Sequence, residues 1–177
     1  MMFSTKAEYG VRVMVELARR SDPPTPIPLA EIAAKDGLPL AYLEHLVARL
    51  RKAGLVDSRR GSRGGYLLAR AASEITMAEV VQALEGAIAP IECISEAADG
   101  TIVCSREIGA RPPGAGSASH ACPTKLLWTR VRGSIVRTLR ETTLADLLLD
   151  AAHPAMPAGA ILPTLESMPL TTTRTGA

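Results

Sequence analysis

The chain has 177 residues, enough for one domain with a substantial core or for a smaller domain with an appended element. Apolar residues make up 47% of it and aromatics only 3%, which favours a mostly α fold over a sandwich or barrel. The net charge of +2 excludes a polybasic nucleic-acid coat, yet Arg49, Arg51, Lys52, Arg59, Arg60, Arg63 and Arg70 stand against the single acid Asp57, so affinity for an anionic polymer would be local.

Lys6, Glu8, Arg12 and Glu16 interrupt the N-terminal region before any apolar run develops, and no later stretch is long and apolar enough to cross a bilayer. The expectation is a cytoplasmic protein with no membrane partner. Three cysteines in a reducing compartment point away from a disulfide framework and toward ligands, a redox thiol or buried bystanders.

In chain order, Thr5-Lys6-Ala7-Glu8 has the form of a capping box, and Ala7, Val11, Met14, Val15 and Ala18 recur behind it on one helical face. Pro23, Pro24, Pro26 and Pro28 then require a loop. Leu29 to Lys35 predicts a short helix with Leu29, Ile32 and Ala33 inward, ended by Asp36-Gly37. In the next helix Leu43, Leu46, Val47 and Leu50 fall at i, i+3, i+4 and i+7, which commits one face to a core. Its other face carries Tyr42, Glu44, His45, Arg49, Arg51 and Lys52. Gly54 takes the terminating position, and Leu55-Val56 resumes as strand. Arg59-Arg60-Gly61-Ser62-Arg63-Gly64-Gly65 sets three guanidiniums on a glycine-rich turn that phosphates could approach closely, before Tyr66-Leu67-Leu68 returns. A short helix, a second helix with a basic face and a basic hairpin together predict a winged helix-turn-helix with a two-stranded β-wing.

Thr76-Met77-Ala78-Glu79 is a second capping box, opening a helix that buries Val80, Val81 and Leu84 and stops at Gly86. Residues 1–86 would form the DNA-binding domain. A long loop over 87–123 holds Cys93, Cys104 and Cys122, and loops of that length inside a compact protein are usually functional or disordered. From Thr124, the residues Trp128, Val131, Ile135 and Leu139 form an apolar stripe between Arg130, Arg132, Arg137 and Arg140. A second copy of this helix is a natural partner, so 124–150 is read as a dimerisation helix and a short terminal helix opened at Thr143. Prolines, threonines and small residues over 151–177 suggest a disordered tail.

An enzyme with a cysteine nucleophile would need His45, His120 or His153 as its base. The first lies on the basic helix face and the last in the tail, and no oxyanion device or phosphate loop accompanies them. The residues do not read as an enzyme.

The stretches STKAEYGVRVMVELA, PLAEIAAKDGLPLAYLEHLVARLRKAGLVDSRRGSRGGYLLAR and LLWTRVRGSIVRTLRETTLADLL, with the cysteine loop between them, resemble the Rrf2 family of bacterial transcription regulators over residues 1–150. This is the family of the iron-sulfur regulator IscR and the nitric-oxide sensor NsrR. The resemblance implies a homodimer that binds a double-stranded, partly palindromic operator and is tuned by an iron-sulfur cluster, 2Fe-2S or 4Fe-4S. Tyr42 and Glu44 match recognition positions in the major groove, where a carboxylate can accept from a cytosine amino group. Arg51 matches a DNA-contacting position and Arg60 the wing arginine of the minor groove, with Arg59 and Arg63 as phosphate partners.

Cys93, Cys104 and Cys122 match the three cluster cysteines, but with ten and seventeen residues between them, where IscR-like members have short gaps. Lys125 stands where those members have a histidine, and a protonated ammonium cannot ligate iron. The resemblance to NsrR-like members makes Glu8 of the partner subunit the first candidate for a fourth ligand and His120 the second. A Cys3His zinc site built from Cys93, Cys104, His120 and Cys122, or cysteines acting as redox thiols without metal, are the alternatives.

Overall fold

The computed structural model describes residues 3–21, 23–61, 63–108 and 122–150. The expected tail over 151–177 and His120 lie outside the described residues. Helix α1 (Thr5–Ala18) starts from Ser4, whose side chain accepts from the Lys6 amide. The Thr5-Glu8 capping box does not form. Ser4 takes the role because the Glu85 carboxylate, 81 residues away, accepts from both its amide and its hydroxyl. The buried face is also rotated from the expected one: Val13, Met14 and Leu17 are buried, while Val11 and Val15 are only partly covered.

Helices α2 (Leu29–Asp36) and α3 (Leu40–Lys52) follow, each on a proline. Leu29, Ile32 and Ala33 of α2 and Leu43, Leu46, Val47 and Leu50 of α3 turn inward as the periodicity requires. At the end of α3, Gly54 adopts φ +71, the Gly54 amide donates to Arg51 and the Leu55 amide to Leu50, closing a Schellman turn. Strands β1 (Val56–Arg59) and β2 (Gly65–Leu68) then pair antiparallel, Val56 with Leu68 through Arg59 with Gly65. The proline loop adds a bridge, because Ile27 and Tyr66 exchange both backbone hydrogen bonds at 2.9 Å. Gly65 permits that approach: a Cβ there would sit 2.5 Å from the Ile27 carbonyl.

Helix α4 (Met77–Glu85) carries its capping box as expected, with the Glu79 amide donating to Thr76 and the Thr76 amide to Glu79. The segment expected to be a continuous loop instead contains a second hairpin, β3 (Ile94–Glu96) with β4 (Ile102–Cys104), and a single helical turn, α5 (Ser105–Ile108). Asp99 and Gly100 make its turn: Gly100 has φ +84 and the Asp99 carboxylate accepts from the Thr101 amide and hydroxyl.

Helix α6 (Lys125–Glu141) packs along α4 and β3, and α7 (Leu144–Asp150) returns to α1. The starts of α4 and α7 are laced together, Met77 amide to Thr142 carbonyl at 2.9 Å and Leu144 amide to Ile75 carbonyl at 2.8 Å. Leu144 is thereby fully buried in the same core as Met14, Leu43, Leu50 and Leu84. No helix among the described residues is long and apolar enough to cross a membrane.

Candidate functional site

The core residues of α3 aim its other side outward. Glu44, His45, Arg51 and Lys52 are exposed there, and Arg59, Arg60 and Arg63 are exposed on the wing beside it. Among the described residues none of these seven side chains makes an ion pair or a side-chain hydrogen bond. Arg51 and Lys52 also occupy the last turn of α3, where the helix dipole favours cations.

The wing tip is sharpened by glycine: Gly61 has φ +119, and a Cβ on Gly64 would lie 2.4 Å from the Arg59 carbonyl oxygen.

Two residues of the α3 outer face also make contacts within the chain. Arg49 donates to the Leu84 carbonyl at 3.0 Å, capping the last turn of α4. Tyr42 is half-buried, with its ring edge-on to Tyr9 at 6.0 Å between centroids and its hydroxyl 3.4 Å from that of Thr5. Beside it, Lys6, His45 and Lys52 line an open groove of about 440 Å³ between α1 and α3.

The cysteines come together although the sequence separates them. Cys93 and Cys104 sit at one end of the second hairpin, where the Ser105 amide donates to the Cys93 carbonyl at 2.9 Å. Cys104 is buried, and Glu107, three residues after it, accepts from the Cys122 amide. Burial pushes the Cys104 thiol above its ordinary range, opposed in part by the Arg106 and Glu107 amides directed at it. Cys122 is held below its ordinary range by the Thr124 hydroxyl, 3.4 Å from its sulfur, and by the Thr124 amide.

Glu107, which the sequence reading did not single out, accepts from the Cys122 amide at 3.2 Å and from the Lys125 ammonium at 2.6 Å. That ammonium holds the Glu107 carboxyl below the usual carboxylate range. Lys125 is correspondingly raised by its partner.

Among the described residues, no three His, Cys, Asp or Glu side chains are drawn closely enough to hold a single metal ion. The donor chemistry nonetheless fits an iron-sulfur cluster, whose irons take cysteine sulfur and are spread over several atoms rather than one. Glu8 pairs with Arg12 at 2.9 Å on exposed α1 and is not among the groups gathered about Cys104 in its own chain.

A helix-turn-helix with an exposed basic face and a glycine-tipped basic wing defines a winged-helix transcription regulator, a class that binds DNA. Residues 3–150 match the Rrf2 family, described as an iron-dependent transcriptional regulator, and the chain belongs to that family. Protein rrf2 of Nitratidesulfovibrio vulgaris is 34% identical over 152 residues, covering 86% of this chain and 90% of that protein. Among solved structures, CymR, the global cysteine regulator of B. subtilis, is 34% identical with a TM-score of 0.62 over 85% of this chain and 98% of that one. IscR of T. potens is 35% identical with a TM-score of 0.65 over 89% and 94%. These relatives are regulators rather than enzymes.

Proposed function

We propose that the protein is a homodimeric cytoplasmic repressor whose operator affinity is set by an iron-sulfur cluster held on Cys93, Cys104 and Cys122. The observation that carries this reading is that the segment bearing Cys122, just before α6, is tied by its amide to Glu107, three residues after Cys104, while Cys104 ends the strand paired with the one that follows Cys93. A bound cluster would supply a group whose charge and integrity respond to oxidants, nitric oxide or iron supply. The chain supplies the rest. Cys104 anchors the site in the hairpin, Cys122 couples it to α6, and Glu8 from the partner subunit is the candidate fourth ligand.

On the DNA side, Glu44 and Tyr42 read the major groove, Arg51 adds a contact at the end of the recognition helix, and Arg60 enters the minor groove. Arg59 and Arg63 bind phosphate and contribute salt-dependent affinity without choosing sequence.

The test is the visible spectrum of anaerobically purified protein, with iron and acid-labile sulfide measured on the same sample. The expected protein is brown, with the two in matching amounts, and Cys93→Ala is colourless yet still dimeric. A colourless parent protein after reconstitution overturns the cluster. One observation favours a second reading in that case: Cys104 stands opposite Ile94, next to Cys93, and Glu107 ties the Cys122 amide close to the Cys104 turn, so either pair could close a disulfide and the regulator would respond to thiol oxidation directly.

A further inference from the structure

Cys93 and Cys104 need no special device to meet, since both lie at the ends of hydrogen-bonded strands in one short hairpin. Cys122 is different. Seventeen residues separate it from Cys104, and bringing the ends of such a span together has an entropic cost that something must offset.

Among the described residues, the hydrogen bonds that cross this gap converge on one residue. Glu107 follows Cys104 by three positions in α5, and its backbone amide is directed at the Cys104 sulfur. Its side chain faces the other way along the gap: one carboxylate oxygen accepts from the Cys122 amide at 3.2 Å and the other from the Lys125 ammonium at 2.6 Å. Both side chains of the Glu107 and Lys125 pair are largely covered, 25% and 34% exposed, so the pair is better shielded than a typical surface ion pair.

We propose that Glu107 is the positioning residue that assembles the cysteine site, holding Cys122 beside Cys104 through its amide while Lys125 fixes its second oxygen. The proposal rests on the reading of the three cysteines as a working site and adds which residue closes it and that closure precedes any metal. It also gives Lys125, which cannot ligate iron while protonated, a place in the site. A glutamine at 107 would keep an acceptor for Cys122 but turn a donor toward the ammonium. An alanine would lose both bonds.

The experiment uses the full chain, metal-free and reduced, in two backgrounds. Cys93→Ala leaves Cys104 and Cys122; Cys122→Ala leaves Cys93 and Cys104. Oxidised glutathione is added, and the peptides joined by the new disulfide are counted by mass. Each closure takes two protons and two electrons from the thiols, and the oxidant leaves as two reduced glutathiones.

Glu107→Ala is expected to slow the Cys104-Cys122 closure by about tenfold, the scale of a hydrogen bond to a charged group, with Glu107→Gln between it and the parent. The Cys93-Cys104 closure stays at the parent rate. An unchanged Cys104-Cys122 rate overturns the proposal. So does an equal slowing of both pairs, which would mean that the substitution only loosens the hairpin. Because no metal enters the assay, a protein that never holds a cluster would remove the cluster reading and leave this result standing.

Discussion

Helices α3 and α6 are written in nearly the same pattern and meet opposite fates. Each sets an apolar stripe at helical spacing against a row of basic residues. In α3 the stripe disappears into the chain: Leu43, Leu46, Val47 and Leu50 are 2% exposed or less. In the seventeen residues of α6 none is fully buried: Trp128, Val131, Ile135 and Leu139 of its stripe are only half-covered, Leu139 against the core, and Leu126 and Leu127 beside them are 62% and 55% exposed. The difference lies in the neighbours. α3 is enclosed by α1, α2, α4 and β1, whereas α6 leans on α4 and β3 and is strapped there by Arg132, which donates to the Ile88 carbonyl at 3.0 Å and pairs with Glu96. An amphipathic stripe therefore states that a face must be covered, and the tertiary structure decides whether the chain itself does the covering.

The largest expected effect breaks the α3 side of the comparison. Leu50→Ala removes a fully buried side chain from the core, and should lower unfolding stability by about 2–5 kcal/mol in denaturant titrations, equally at all protein concentrations. The α6 side responds differently if a second copy covers it. Ile135→Asp should convert a dimer to a monomer in sedimentation, while the stability of the dilute chain moves by no more than about 1 kcal/mol. Should Ile135→Asp unfold the dilute chain as Leu50→Ala does, the stripe belongs to the core of one chain and the contrast between the two helices fails.

The same contrast marks what could be read from the sequence. The buried quartet of α3, the Thr76-Glu79 box and the wing were legible because each is a local pattern: a 3.6-residue period, a four-residue hydrogen-bond exchange, a glycine-rich turn. The start of α1 was not. Ser4 and Thr5 offer equivalent hydroxyls, and the choice between them is made by Glu85, far along the chain. The rotated face of α1 has a similar cause: at Gly10 a Cβ would lie 2.1 Å from the Leu84 side chain, so α1 meets α4 along a line that the spacing of its larger residues does not reveal.

The β3–β4 hairpin escaped because strands of three residues are too short to alternate visibly. Its one local signal, Asp99-Gly100, stood in a segment read as loop. The cysteines were named individually, but the hydrogen bond that ties the Cys122 amide to Glu107 crosses from one stretch to the other and has no local signature.

The guanidiniums can be sorted in the same way, and this yields the smallest and sharpest prediction. Arg49 and Arg132 are committed to carbonyls within the chain, whereas Arg60 is exposed beside Gly61 with no side-chain partner among the described residues. Arg60→Ala should therefore leave the melting temperature where it was and weaken binding to an operator selected with the parent protein by about tenfold, the cost of one groove contact. Arg49→Ala should do the reverse, lowering stability through the lost cap on α4 while the folded fraction keeps its affinity.

Salt dependence then separates two ways in which Arg60 could act. A side chain that only neutralises a phosphate contributes equally on every sequence, so its removal flattens the dependence of affinity on salt by about one charge and leaves the preference among operators intact. One seated in a narrow minor groove gains most where the groove is narrowest, so its removal relaxes that preference. The groove role predicts the second outcome, measured by competition between the selected operator and a variant altered only under the wing. A uniform loss across both DNAs would reassign Arg60 to the phosphate contacts of Arg59 and Arg63.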